Sequence, residues 1–116
     1  MIIDDQPYLR SLIAKELSEE GHSICCFEDA ASAMCSIPTE KPDIVLLDLY
    51  FEGFENWESL HRIKIKHPNL PVIIVTAYKN FLNDPRVFEA DGYAIKESGA
   101  VSLRNKIKEL LACKGH

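Results

Sequence analysis

A chain of 116 residues, 47% of them apolar, is long enough for one hydrophobic core and reads as a single domain over 1–116. Its net charge of −5, with no dense cluster of Lys and Arg, argues against direct binding to nucleic acid or to an anionic membrane. The apolar runs are too short to cross a bilayer, and no signal peptide precedes Asp4.

Met1-Ile2-Ile3 opens the chain as a short apolar strand that closes in Asp4-Asp5. Pro7 to Glu20 then carries Leu9, Leu12, Ile13 and Leu17 on one helical face, with Pro7 in the first turn and Gly21 as the stop. Ser23 to Phe27 reads as a second strand. Asp29 is placed to cap a small-residue helix from Ala30 to Ile37, and Pro38 is expected to close it. A third strand, Asp43 to Leu47, runs into Asp48 and then a loop from Leu49 to Glu55. The next helix, Asn56 to His67, presents Trp57, Leu60 and Ile63, and Pro68 terminates it.

Pro71 to Val75 is a fourth strand, followed by Thr76. Tyr78 to Asn83 reads as loop, and Pro85 after Asn83-Asp84 should start a helix of under two turns that ends by Gly92. Gly92 to Ile95 is the fifth strand, ending at Lys96. A last helix, about Ala100 to Ala112, repeats Leu103, Ile107, Leu110 and Leu111 at helical spacing. Such alternation predicts an α/β fold: a three-layer doubly wound sandwich around a five-stranded parallel sheet, with right-handed crossovers. No linker, repeat or low-complexity stretch divides it.

Cys25, Cys26, Cys35 and Cys113 lack zinc-type spacing, and adjacent Cys25 and Cys26 on a strand point to opposite faces. Reduced cysteines that merely pack are expected, which suits the cytoplasm.

In open α/β sheets ligands bind at the carboxyl ends of the strands. That edge would gather Asp4, Asp5, Asp48, Thr76 and Lys96. Singly each has an ordinary explanation: Asp4-Asp5 as a helix cap, Asp48 as a turn residue. Their joint placement carries the chemical reading. Mg²⁺ takes hard oxygens, usually one or two carboxylates with waters and phosphate, and Mn²⁺ could substitute. Asp5 and Asp48 could each give an oxygen, Asp4 could hold a metal-bound water, and the Tyr50 carbonyl could add a ligand. Without a cation three carboxylates repel; with one, Asp48 could attack phosphorus as an ionised nucleophile. Lys96 and the Thr76 hydroxyl suit the phosphoryl oxygens. No Gly-rich loop cradles a nucleotide.

The blocks Ile3-Asp4-Asp5-Gln6, Ile44-Val45-Leu46-Leu47-Asp48-Leu49, Val75-Thr76-Ala77 and Tyr93-Ala94-Ile95-Lys96 occur in the order found in response-regulator receiver domains of two-component systems, and the chain resembles that family along nearly its whole length. The resemblance implies a flavodoxin-like sheet of order 2-1-3-4-5. It implies that Asp48 accepts phosphate from a phosphohistidine of a sensor histidine kinase or phosphotransfer protein. Asp4 and Asp5 would serve Mg²⁺, Thr76 and Lys96 would touch the phosphoryl group, and Tyr93 would be the switch aromatic. A downstream effector domain or protein is implied, and a homodimer is a further option. Such a domain is a phosphoacceptor rather than an enzyme, although it takes part in its own phosphorylation and dephosphorylation.

Two departures stand out: the loop after the acceptor reads Tyr50-Phe51-Glu52-Gly53-Phe54-Glu55, and Glu97 rather than proline follows Lys96. Tyr50 and Tyr78, each two residues beyond a site residue, are expected to flank the path of a hydrolytic water. Phe81, Leu82, Val87 and Phe88 are expected either to pack the short helix on the sheet or to form a partner patch. Two other functions fit less well. A Mg²⁺-dependent aspartyl-phosphate phosphohydrolase would want a second acid where Tyr50 stands, and a receiver-like interaction module no longer phosphorylated would not need Asp5, Asp48, Thr76 and Lys96.

Overall fold

The computed structural model describes residues 1–51, 54–55, 57–76, 83–95 and 99–114. Seven strands occur among them: β1 (Ile2–Ile3), β2 (Cys26–Phe27), β3 (Val45–Asp48), β4 (Tyr50–Phe51), β5 (Phe54–Glu55), β6 (Val72–Thr76) and β7 (Gly92–Ile95). The helices are α1 (Pro7–Glu19), α2 (Ala30–Glu40), α3 (Trp57–Lys66) and α4 (Gly99–Lys114), with a 3-10 helix over Pro85–Glu89. Five strands form a parallel sheet of order β2-β1-β3-β6-β7, which is the 2-1-3-4-5 order once the small β4–β5 pair is set aside.

The apolar runs build this sheet because the central strands β1, β3 and β6 bury both faces. Ile3, Val45, Leu47, Val72 and Ile74 enter one core cluster with Ala33 and Ile37 of α2, Trp57, Leu60 and Ile63 of α3, and Val87 of the 3-10 helix. Ile2, Leu46, Ile73, Val75 and Ala94 enter the other, with Leu17 of α1 and Leu103 and Ile107 of α4. Period-two alternation along each strand divides the two layers. Each fully buried Leu or Ile contributes about 1.5–3 kcal/mol relative to exposure.

The predicted caps hold where they are local. The Asp29 carboxylate accepts the Ser32 amide at 2.7 Å at the start of α2, and Gly21 takes a positive φ of 95° after α1. Cys25 and Cys26 divide as expected: Cys25 packs against the first cluster and Cys26 is exposed.

Several boundaries differ from the sequence reading, among them the start of β3 at Val45 rather than Asp43. Pro38 lies inside α2 rather than beyond it, and the helix runs on to Glu40. So near a helix end the missing N–H removes a single bond, and Lys41, at φ 48°, closes the helix by donating to the Ile37 carbonyl at 2.9 Å. The stretch read as a loop from Leu49 to Glu55 contains the antiparallel pair β4–β5, with Tyr50 opposite Glu55 and Phe51 opposite Phe54; aromatic residues favour such extended backbone. Strand β2 is shortened to Cys26–Phe27, as befits an edge. Helix α4 extends to Gly99–Lys114. Asn56, the expected cap of α3, lies outside the described residues.

Candidate functional site

Parallel pairing builds the site. Ile3 lies opposite Leu47, so the next residues, Asp4 and Asp48, leave neighbouring strands at the same level. Asp48 lies opposite Val75, which brings Thr76 one step further along the same edge. One carboxylate oxygen from each of Asp4, Asp5 and Asp48 lies within 4.8 Å of the others. Asp4 and Asp48 are buried, Thr76 is fully buried, and Asp5 is half-buried. Burial makes the cluster unusual: carboxylates leave water only when something compensates them.

The Asp4–Asp5 segment is held from three sides. The Asp4 amide donates to the Phe27 carbonyl at 3.1 Å, continuing the β1–β2 ladder. The Gln6 amide donates to Asp4 Oδ1 at 2.9 Å in an Asx-type turn. Arg10, one turn into α1, donates from a guanidinium nitrogen to the Asp4 main-chain carbonyl at 2.9 Å. Its other terminal nitrogen lies 3.5 Å from Glu28, in the segment after β2. Arg10 was not among the sequence candidates; the only hint was a cation early in the helix that follows an acidic pair. Nearby, partial desolvation pushes the pKa of the Cys26 thiol up although the residue is exposed, and the Arg10 charge pulls it partly back.

Of the other candidates, Lys96 lies outside the described residues, and so do Tyr78, Phe81, Leu82 and the side chain of Tyr50. Tyr93, on β7 opposite Ile74, is 56% exposed and so turned outward. Val87 and Phe88 part company: Val87 is buried in the core, while Phe88 is 85% exposed. The 3-10 helix between β6 and β7 is tied to α3, with the Arg86 guanidinium 4.7 Å above the Trp57 ring and His61 paired with Glu89 at 2.8 Å.

The donor set suits a hard divalent cation, since carboxylate oxygens from the ends of neighbouring strands converge. A cavity of about 430 Å³ at the other end of the strands, lined by residues such as His22, Cys25 and Ile44, contains none of these acids. Among the described residues no helix is long and apolar enough to cross a membrane.

Comparison with known proteins agrees with this geometry. The curated relative NtrX, a nitrogen assimilation regulatory protein of Azorhizobium caulinodans, is 29% identical over 129 residues, covering 95% of this chain and 28% of that protein. Sporulation initiation phosphotransferase F of Bacillus subtilis is 29% identical over 118 residues, covering 100% of this chain and 95% of that one. The chain thus spans little more than a quarter of NtrX but nearly all of the phosphotransferase. Among solved structures, response regulator TrrA of Thermotoga maritima in complex with Mg²⁺-BeF superposes with a TM-score of 0.87 at 31% identity, covering 94% of this chain and 95% of that one. TrrA in complex with the histidine kinase ThkA gives 0.86 at 32% identity, with 95% of each chain covered. The family described as "Response regulator receiver domain" matches residues 1–108. With the parallel sheet and the acidic edge already in place, the chain belongs to the response regulator receiver domains of two-component systems.

Proposed function

We propose that this domain, read as one receiver unit over 1–116, is a phosphoacceptor switch in which Asp48 takes a phosphoryl group from the phosphohistidine of a sensor histidine kinase or a phosphotransfer protein. The observation that carries the reading is the convergence of Asp4, Asp5 and Asp48 oxygens within 4.8 Å at the carboxyl ends of β1 and β3. The TrrA complexes, one with Mg²⁺-BeF and one with a histidine kinase, support it by likeness.

Asp5 and Asp48 would hold Mg²⁺, or Mn²⁺ in its place, with Asp4 and the Tyr50 carbonyl completing the set. The bound cation would supply positive charge against the carboxylates and the phosphoryl oxygens. An Asp48 oxygen attacks phosphorus as the bond to the histidine nitrogen breaks, and the imidazole leaves with the electron pair and takes up a proton. The Thr76 hydroxyl and the Lys96 ammonium donate to the phosphoryl oxygens, where charge gathers. As Thr76 moves toward that group, Tyr93 turns inward, altering the surface formed by β6, the 3-10 helix and β7. Output then passes to an effector domain or partner, or to a second copy. The domain acts in the cytoplasm, touches neither nucleic acid nor membrane, and does not turn over a substrate as an enzyme would.

The test is incubation with a small acyl phosphate and Mg²⁺, followed by intact-protein mass measurement. A persistent single phosphoryl adduct, absent in Asp48→Asn and without Mg²⁺, is expected. No adduct would leave an interaction module, and rapid repeated turnover would identify a phosphohydrolase; either result overturns the reading.

A further inference from the structure

We infer that Arg10 is a positioning residue for the acidic cluster: by gripping the Asp4 carbonyl it fixes the peptide from which the Asp5 carboxylate projects, and so sets the affinity of the site for a divalent cation. The inference rests on the reading of Asp4, Asp5 and Asp48 as a cation site.

Its basis is geometric. Asp4 is the last residue to hydrogen-bond along the β1–β2 ladder, through its amide to Phe27. Its carbonyl lies past the sheet, and Arg10 donates to it at 2.9 Å. Arg10 is itself anchored: its amide donates to the Gln6 carbonyl at 2.9 Å, its side chain is only 16% exposed, and Glu28 approaches its second nitrogen. One planar group therefore ties the first turns of α1 to the segment after β2, across the peptide joining Asp4 to Asp5. A guanidinium can engage two partners from one plane in this way, which an ammonium does less well. Groups that orient a ligating residue without touching the metal commonly change affinity by about tenfold or more when removed.

Positioning and charge make opposite forecasts. A nearby guanidinium repels a cation, so if charge alone mattered, removing it would tighten binding. If positioning dominates, removal weakens binding. A strut that merely stabilises the fold would lower the melting temperature without metal and leave affinity unchanged.

The experiment titrates the full chain and its Arg10→Met and Arg10→Lys variants with Mn²⁺, reading free metal by electron paramagnetic resonance, and records metal-free melting curves in parallel. Arg10→Met should weaken binding about tenfold, and Arg10→Lys, which keeps one donor but not the planar fork, should recover only part of it. Equal or tighter binding by Arg10→Met overturns the inference. Should that variant fail to fold, Arg10→Gln replaces it and is read in the same way. If the unaltered protein binds no Mn²⁺, the cation site itself is refuted and the inference with it. If it binds metal yet accepts no phosphoryl group, the proposed function fails while the role of Arg10 is still decided by the variants.

Discussion

Lys64 and Asp91 meet at 2.8 Å, Nζ to Oδ2, joining the last turn of α3 to the residue that precedes β7. The same Asp91 oxygen accepts the Val72 amide at 2.8 Å, and the Asp91 amide returns a bond to the Val72 carbonyl at 2.9 Å. Lys64 also donates to the carbonyls of Leu70 and Pro68, at 3.0 and 3.3 Å. One ammonium and one carboxylate thereby hold the entry points of β6 and β7 in register, at the opposite end of those strands from Thr76. Replacing Asp91 by Ala takes the side-chain acceptor from the Val72 amide and the counter-charge from Lys64, which keeps only its carbonyl partners, and should cost about 2 kcal/mol. Asp91→Asn keeps an acceptor for Val72 and should cost less. Urea denaturation of the two variants checks the order; equal losses would assign the effect to the ion pair alone.

Lys41 closes α2 in the left-handed region, at φ 48°, where a side chain is disfavoured and glycine is not. Lys41→Gly should therefore stabilise the protein, by roughly 0.5 kcal/mol once the greater freedom of glycine in the unfolded chain is subtracted. Thermal melting measures it, and a fall in melting temperature would show that the lysine side chain contributes more than its backbone costs.

Asp84 caps the 3-10 helix, accepting the Arg86 amide at 2.9 Å and its guanidinium nitrogens at 3.0 and 2.6 Å. The Arg86 side-chain bonds, and then the amide bond, lower its pKa from 3.8 to about 2. A carboxylate held below its unfolded value stabilises the fold above that unfolded value and loses the contribution as pH falls through the folded one. The stability advantage of the unaltered protein over Asp84→Asn should thus be level above pH 3.8 and shrink as pH approaches 2. Because the group is exposed the advantage is small; a carboxyl NMR titration of Asp84 gives the midpoint directly.

Asp48→Asn removes one of three clustered carboxylates. Without divalent cation the variant should be more stable than the unaltered protein, by about 1 kcal/mol, because like charges are relieved. With millimolar Mg²⁺ the order should reverse, since binding to the folded state adds stability only where affinity is retained. Melting curves with chelator and with Mg²⁺ test both halves.

Much of this architecture is legible in the residues themselves. Apolar runs such as Val72 to Val75, each closing at a polar residue, announce strands buried on both faces, and helical spacing at Leu60 and Ile63 or at Leu103 and Ile107 marks the faces that cover them. These signals are local, set by a period of two or of about 3.6 residues, so one stretch of chain suffices to read them. Asp29 as a cap and Gly21 as a stop are legible for the same reason.

Other features depend on partners distant in the chain. Spacing alone cannot say that Asp4 and Asp48 share a level, because that follows from Ile3 settling opposite Leu47. The continuation of α2 through Pro38 is decided where the helix end meets Lys41, and the β4–β5 pairing has no alternation to announce it. Arg10 makes the distinction plainest. Its charge and its place in an amphipathic helix are written in the sequence, but its grip on the Asp4 carbonyl exists only once α1 has folded back along the sheet. Local periodicity determined the elements and the residue types at their ends; long-range parallel register, with the packing of helices on both faces, decided which of those residues meet.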